Sequence, residues 1–417
     1  MAESALAALQ HTALSLPCPA SFGALRKRAE EEIVAKPLPT SDLEDWKYLD
    51  LSAVYSQAFC QPNHDAPSFP ASECLAPETI HSRLLFVNGR FDSASSDTSA
   101  LPVDIHFLPL TEAGPGAIEH LGKLARPDSL DIFANINTAR FSDGALVYIP
   151  GGQSLEIPLH IIFQSDGAER GECPVALPRM LIALEQGAKA YILEEYCGAG
   201  KYLTSSVVEI ILGEGASLRH DRIQRESRDA FHFCTLRVDA AKAATYSATL
   251  ISLGAAISRH NPQFTLKGEH SELELTGLSL INAAQTADTH SLIDHAAPGC
   301  ISRQLQKYIV GDAAHGVFNG RILARQGAQQ TNASQSSRNL LLSENARMDA
   351  KPQLEILADD VKCGHGATIG QLNQDELFYL QSRGLDADLA RNLLLAGFSA
   401  EVINRLALPS LRRALLQ

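Results

Sequence analysis

A short segment near the C-terminal end carries a thiol and an imidazole at strand spacing. Cys363 and His365 are separated by one glycine, so both side chains point to the same side if the segment is extended. A thiolate with an imidazole suits a soft or borderline metal such as iron or zinc. Two ligands are too few for a closed structural site, so the pattern predicts a metal that is bound transiently or shared with a second chain. Taken alone, the spacing favours a plain structural role, because an unpaired cysteine is usually a small buried hydrophobic residue.

A second polar group precedes this pair along the chain. Asp288, His290 and Asp294 alternate along an extended run, with His295 beside them, so the first three could share one strand face. A structural ladder of polar side chains on a sheet face explains them equally well. The sequence contains no phosphate-binding loop, dinucleotide fingerprint, H-E-x-x-H or G-x-S-x-G. It is therefore not an obvious nucleoside triphosphatase, dehydrogenase, zincin or hydrolase.

The elements that must position these residues are short β-rich runs, which follow one another from about residue 145 to residue 370. Small-residue turns recur among them, at Gly187-Ala188, Gly215-Ala216 and Ala243-Ala244, with a spacing of 28 residues. A fixed period of this length is typical of solenoids.

An antiparallel sandwich would require many two-residue hairpins. Asn-Gly and Asp-Gly turns are few: Asn88-Gly89, Asp143-Gly144 and Asn319-Gly320. We therefore predict a mostly β protein built on a parallel β-helix. The open end of such a core exposes sheet edges, so it calls for a cap or a partner.

The predicted organisation has three parts. Residues 1–144 form an N-terminal helical region with a short strand and hairpin at 84–91, residues 145–370 the β-helix core, and residues 371–417 a C-terminal helical bundle. Predicted N-terminal helices cover 3–14, 21–35 (capped by Ser21), 43–48, 111–124 and 129–141. Predicted C-terminal helices run from Asn373 to about 382, from Asp386 to about 396 (ended by Gly397), from Ser399 onward, and from Pro409 onward.

Composition narrows the function classes. The chain has 417 residues, 45% of them hydrophobic, and a net charge of −13. A net acidic chain has no general attraction to nucleic acid or anionic lipid. No apolar run approaches the roughly 20 residues of a membrane-spanning helix, and the N-terminus does not resemble a secretory signal. The eight cysteines are scattered, which predicts a reducing, cytoplasmic compartment.

Several motifs together resemble the SufB/SufD family of the SUF iron–sulfur cluster assembly machinery. The most specific is residues 359–372, Asp-Asp-Val-Lys-Cys-Gly-His-Gly-Ala-Thr-Ile-Gly-Gln-Leu, followed by 376–380 and 382–384. Matching runs occur in order at 44–48, 87–91, 312–321, 329–335, 339–343 and 352–356. From Cys363 to Thr368 the sequence has the SufD form rather than the Glu-His-Glu-Ala-Thr of SufB. Gly364 stands where serine is commoner.

The resemblance implies a right-handed parallel β-helix flanked by helical regions, in agreement with the pattern above. It implies a non-catalytic scaffold subunit that pairs with a SufB-like paralogue through the β-helices. The exposed interface of a β-helix also favours a homodimer when the paralogue is absent. The resemblance further implies that the C-terminal helices dock the SufC ABC-type ATPase, with Phe378, Tyr379 and Arg383 as docking residues. The chain itself is expected to bind no nucleotide.

The resemblance also implies a role for the thiol–imidazole pair. It places His365, and secondly Cys363, near the SufB–SufD interface as ligands of iron or a transient Fe–S cluster shared with the partner. We hypothesise that ATP binding draws two SufC subunits together, strains this interface and exposes both residues. Two alternatives remain open: a β-helix carbohydrate-active enzyme using acids among Asp288, Asp294, Asp359 and Asp360, or a purely structural complex partner.

Overall fold

The structure, a computed structural model, describes residues 22–63, 76–114, 119–167 and 171–416. The α-helices in these residues are α1 (Gly23–Ala35), α2 (Ser52–Tyr55), α3 (Ile132–Arg140), α4 (Gln374–Ser382), α5 (Ala387–Ile403) and α6 (Pro409–Leu416). Short 3₁₀ turns occupy Glu44–Trp46, Pro77–Thr79, Leu110–Glu112 and Pro127–Ser129.

Strands dominate the rest of the described chain. They are β1 (Phe59–Cys60), β2 (Arg83–Val87), β3 (Arg90–Phe91), β4 (His106–Pro109), β5 (Gly144–Ile149), β6 (Leu159–Asp166), β7 (Cys173–Ala176), β8 (Arg179–Leu184), β9 (Lys189–Ala199), β10 (Leu203–Leu212), β11 (Ser217–Arg225), β12 (Phe231–Ala240), β13 (Thr245–Ser252), β14 (Ile257–Leu266), β15 (Glu272–Ile281), β16 (Thr286–His295), β17 (Ile301–Val310), β18 (His315–Ala324), β19 (Asn332–Leu341), β20 (Arg347–Ile356) and β21 (Lys362–Gln371).

From β8 onward, consecutive strands alternate between two parallel sheets. One sheet runs in the order β20-β18-β16-β14-β12-β10-β8-β5-β4, and the other β21-β19-β17-β15-β13-β11-β9-β6-β2-β3. Each strand therefore pairs with the strand two places along the chain, and the chain winds into a β-solenoid of about seven turns. The predicted fold, a mostly β solenoid with helices near both ends, is confirmed.

The 28-residue period corresponds to one turn of this solenoid. Thr245 lies in register with Ser217, and Ser217 lies in register with Lys189. At the corner before each of these strands, Gly187, Gly215 and Ala243 adopt positive φ. Each backbone N–H at these corners donates to a carbonyl of the next turn, at 2.8–2.9 Å, so the corners stack into a hydrogen-bonded ladder.

The N-terminal part covers the beginning of the solenoid. β2 and β3 form the predicted hairpin, and its Asn88-Gly89 turn has φ of 50° and 82°. In α3, Phe133 stacks on Phe233 of β12 with ring centroids 3.8 Å apart. The buried Trp46 lies against both rings. Aromatic packing therefore fixes this region to the solenoid.

Three predicted elements are wrong, and in each case contacts in the folded chain explain the difference. The predicted helix at 111–124 is largely irregular in its described part, since the Glu209 carboxylate accepts the backbone N–H groups of Gly122, Leu124 and Ala125. Gly397 does not end a helix. The Ser399 hydroxyl bonds back to the carbonyls of residues 395 and 396 instead of capping a new helix, and α5 continues to Ile403.

The third error concerns the Asn319-Gly320 dipeptide, which lies inside β18 instead of at a turn. A Cβ on Gly320 would come within 2.5 Å of the Phe318 and Gln335 side chains, so glycine is needed there for close packing. The predicted helix at 3–14 and the Ser21 cap lie outside the described residues. No described helix has the length and apolar character required to cross a membrane.

Candidate functional site

The last rung of the solenoid is much more exposed than the rungs before it. In β19 the burial alternates, whereas β20 has no fully buried residue and β21 is exposed at every position except Cys363. Both strands stand at the edges of their sheets. This end therefore presents unpaired backbone groups and part of the core face.

Cys363 and His365 both lie on the side of β21 that faces the solenoid interior. Cys363 is in register with Ala333, and His365 with Gln335. In-register residues of parallel strands point to the same side, and both Ala333 and Gln335 are buried. Cys363 is half-buried and packs against the main core cluster, as does Leu354 of β20. The two predicted site residues thus line the open mouth of the solenoid.

The pair supplies two donor side chains, one thiol and one imidazole. Burial raises the pKa of the Cys363 thiol above its ordinary value, so the thiol is protonated at neutral pH, and a metal bound there would have to displace that proton. His365 is solvent-exposed. Among the described residues, no group of three or more His, Cys, Asp or Glu side chains is arranged to hold a metal. Further ligands would have to come from another molecule.

A buried amide ladder lies beneath His365. The Gln335 Nε2 donates to Gln304 Oε1 at 2.8 Å, and the Gln304 Nε2 donates to Ser291 Oγ at 2.9 Å. The Gln335 Oε1 has no hydrogen-bond partner among the described residues although it is buried. An acceptor is therefore open in the rung directly below the histidine. The sequence does not single out Gln304 or Gln335. Only the strand register, which places them one turn apart, reveals that they form a ladder.

The second polar group predicted from the sequence, which includes Asp288, Asp294 and His295, is not part of this site. Asp288 is ion-paired with Arg259. Asp294 accepts two hydrogen bonds from Arg325, at 2.9 and 2.5 Å. His295 points inward to Ser302 Oγ at 2.8 Å, and burial lowers its pKa to about 4.

Two of the four acids proposed for a carbohydrate-active enzyme are engaged in ion pairs. Asp288 and Asp294 are held by arginines, while Asp359 and Asp360 lie in the exposed turn before β21. A glycosidase requires two carboxyl groups that flank one bond. No observation in the described structure favours that activity.

The predicted docking residues project from the C-terminal helices. None of the α4 residues is buried, and the relative exposures of Phe378 and Tyr379 are 72% and 56%. The Arg383 guanidinium lies 5.2 Å from the Tyr379 ring centroid. Aromatic side chains exposed next to an arginine are typical of a protein interface.

Helix α5 is anchored on the outer face of the odd-numbered strands. Val402 and Ile403 pack with Leu278 and Ile309. The Glu401 carboxylate lies 2.5 Å from Lys307 Nζ of β17 and 3.1 Å from the guanidinium of Arg338 of β19. Arg338 is in register with Thr368 of β21.

A further contact fixes the same helix, because Lys307 Nζ also donates to the Phe398 carbonyl at 2.8 Å. The helical region is thereby joined, through Glu401, to the strand next to the candidate site. Sequence reasoning missed Glu401 and Lys307, since nothing in their spacing links residues 94 positions apart.

Comparison with protein families gives two matches that together cover most of the chain. Residues 164–398 match the SUF system FeS cluster assembly SufBD core domain, and residues 5–161 match the SufBD protein N-terminal region. Both the solenoid and the segment that covers its beginning are thus included.

Curated relatives match over nearly the whole length. The iron–sulfur cluster assembly SufBD family protein slr0076 of Synechocystis is 37% identical, over 94% of this chain and 89% of its own. Protein ABCI7 of Arabidopsis thaliana, a chloroplastic protein, is 32% identical, over 91% of this chain and 82% of its own. The iron–sulfur cluster assembly protein SufD of Escherichia coli is 30% identical, over 93% of this chain and 89% of its own.

Proposed function

Because this chain belongs to the SufBD family of SUF-system iron–sulfur cluster assembly proteins, we propose that it is a non-catalytic scaffold subunit that shares a nascent cluster with a paralogous partner. The observation that carries the proposal is the open solenoid end, where Cys363 and His365 face inward without a complete ligand set. In this proposal iron or the cluster is cargo, and the chain acts in the cytoplasm.

His365 is the first proposed ligand and Cys363 the second. Their i, i+2 spacing on one strand face brings both donors to one side of β21. The remaining ligands come from the partner, which explains why two donors suffice here. A half-buried thiol and an exposed imidazole also suit transient binding better than a closed structural site does.

Gln335 has a positioning role in this arrangement. Metal-bound histidines usually donate their second ring N–H to a carbonyl or carboxylate, which fixes the tautomer. The unpartnered Gln335 Oε1 lies one rung below His365 and is the acceptor for that N–H. The Gln304 and Ser291 contacts hold the amide in place.

The proposed partner is a SufB-like paralogue, which covers the exposed edges of β20 and β21. Strand edges of this length are usually paired or covered in natural proteins. A second copy of this chain would cover the same edges when the paralogue is absent.

The C-terminal helices are the proposed docking surface for the SufC ATPase. Phe378, Tyr379 and Arg383 supply exposed aromatic and guanidinium groups of the kind enriched at interfaces. When nucleotide draws two ATPase subunits together, the Glu401 contacts to Lys307 and Arg338 transmit the displacement toward β21. The proposed result is exposure of Cys363 and His365 at the interface.

The test is co-expression of the chain with its host's SufB and SufC, followed by affinity purification and anaerobic iron and sulfide analysis. We expect the wild type and His365→Ala to form the complex equally, but only the wild type to retain iron and sulfide. His106→Ala, which removes an exposed histidine on β4 far from β21, is the matched control and should behave as wild type. Equal iron in the His365→Ala complex would refute the ligand assignment, and failure of the wild type to bind either subunit would refute the scaffold role.

A further inference from the structure

A separate pocket lies on the outer face of the even-numbered strands. It has a volume of about 190 Å³. Its walls come from β14, β16, β18 and β20 and from the 3₁₀ turn at Glu44–Trp46. Cys363 and His365 lie on the inward side of the other sheet, so this pocket is not part of the candidate site.

The segments at residues 44–48 and 288–295, about 240 residues apart in the sequence, meet at this pocket. Arg259 lies between them and forms the base of the pocket. The Arg259 guanidinium lies 4.0 Å from the Trp46 ring centroid and is ion-paired with the buried Asp288. Its Nη2 is 3.1 Å from His290 Nδ1. These contacts hold a buried arginine at the base of the pocket, and its Nε has no partner among the described residues.

The pocket wall is rich in hydrogen-bond donors that the described residues do not use. Arg321 is exposed and makes no hydrogen bond or ion pair with the described residues. Asn319 is buried, and its Oδ1 accepts from Gln353 Nε2 at 3.0 Å, which leaves its amide N–H groups available. Lys351 pairs with Glu44, and both side chains are more than one third exposed.

From these donors we infer that the pocket binds a small oxyanion, either inorganic phosphate or a small molecule that carries a phosphate or carboxylate group. A guanidinium binds such groups through two parallel hydrogen bonds, and Arg321 is placed to do so. Asn319 adds a neutral donor. An exposed ion pair such as Glu44–Lys351 contributes little, so an anion that contacts both Arg321 and Lys351 displaces Glu44.

The pocket is large enough for a small ligand. A cavity needs about 10–15 Å³ to hold one water, so a volume of about 190 Å³ admits a tetrahedral oxyanion or a compact carboxylate. Three cations line the pocket, Arg259, Arg321 and Lys351, together with the carboxylates of Glu44 and Asp45. Since Arg259 is paired with Asp288 and Lys351 with Glu44, Arg321 is the cation that an anion would meet first.

His290 provides a pH signature for binding. Burial, followed by the charges of Arg259 and Arg321, lowers its pKa, while Asp288 and Asp45 oppose that shift. A bound anion would raise the pKa of His290 again. Binding should then take up a proton and tighten as the pH falls toward that pKa. Sulfate, which does not itself titrate in this range, is the probe for the pH series.

The experiment is isothermal titration calorimetry of the full chain with inorganic phosphate and with sulfate, against chloride at equal ionic strength. We expect Arg321→Gln to weaken phosphate binding at least tenfold and Glu44→Gln to tighten it. Arg303→Gln removes an exposed arginine of β17 on the other sheet and should change nothing. Circular dichroism confirms that each variant is folded.

Two results would overturn the inference. One is an absence of phosphate and sulfate binding by the wild type at millimolar concentration. The other is equal weakening by Arg321→Gln and Arg303→Gln, which would indicate adsorption to surface charge only. Neither result bears on iron retention by the complex. The anion pocket and the proposed scaffold function are therefore tested independently.

Discussion

The inner turns of the solenoid and its last rung contain the same kinds of side chain in opposite environments. Cys234 and His260 are in-register neighbours inside the solenoid. Burial raises the pKa of Cys234 to about 11 and holds the pKa of His260 well below its ordinary value. Cys363 and His365 occupy the open end, with the histidine exposed. Position in the solenoid, rather than residue type, decides which pair is available for chemistry.

The inner turns also contain charges that are neutralised by one another. Arg222 Nη2 is 2.5 Å from His232 Nε2, and His232 Nδ1 is 2.6 Å from the Glu226 carboxylate. His220 Nε2 is 2.9 Å from Glu194. All of these side chains are buried. Since buried charges are tolerated only when paired, this network is a structural part of the core, whereas the last rung leaves its donors open.

The largest expected effect follows from breaking the inner network. Arg222→Met removes the cation that faces Glu194 and His232 and leaves their polar groups uncompensated. We expect a loss of about 3–5 kcal/mol in the free energy of unfolding, measured by urea denaturation. Arg303→Met at an exposed position should stay within about 0.5 kcal/mol of the wild type. A loss below 1 kcal/mol for Arg222→Met would contradict the account of the inner turns.

The next effect concerns the rung below the open pair. Gln335→Leu removes the acceptor proposed for the His365 ring N–H, and we expect iron affinity of the complex to fall by about 10–100-fold. In the isolated chain, ¹⁵N NMR should show a shift in the tautomer population of His365. A purely structural role for Gln335 would leave that population unchanged. Gln353→Leu, on the outer face of β20, is the control.

A smaller effect is expected at the helix anchor, and it depends on pH. The hydrogen bond from Lys307 lowers the pKa of Glu401. The pair therefore stabilises the folded chain above the unfolded pKa of glutamate, ~4.3, and this contribution disappears as the pH falls through the lower folded pKa.

Because Glu401 is partly exposed, the contribution is about 1 kcal/mol or less. In Glu401→Gln we expect that part of the acid dependence to be absent from urea denaturation curves recorded between pH 3 and pH 7. Identical pH profiles for the two proteins would contradict the proposed anchor.

Much of this architecture is predictable from local signals. The 28-residue period predicts the turn length, and Asn373 and Asp386 cap α4 and α5 as expected. One exception is a segment whose backbone is bound by a distant group: Glu209 takes the N–H groups that a helix at 111–124 would have used internally. Such partners lie more than 80 residues away, so no local pattern reveals them.

The candidate site is likewise only partly predictable from the sequence. The i, i+2 spacing correctly places Cys363 and His365 on one face of a strand, but only the register with Ala333 and Gln335 shows that this face points inward. The pairing of Cys234 with His260 depends on register alone, because these residues are 26 positions apart. Spacing identifies candidates, and the stacking of turns decides which of them are accessible.

The most direct test of the contrast between the inner turns and the last rung is thiol labelling followed by mass spectrometry of the native chain, alone and in complex with the proposed SufB-like partner. We predict that Cys363 is alkylated in the isolated chain, more slowly than a fully exposed thiol because burial raises its pKa, and is protected in the complex, while Cys234 is protected in both. Adding ATP and SufC should restore part of the labelling at Cys363. If Cys363 is labelled equally with and without the partner, the open end is not the shared interface and the central claim is wrong.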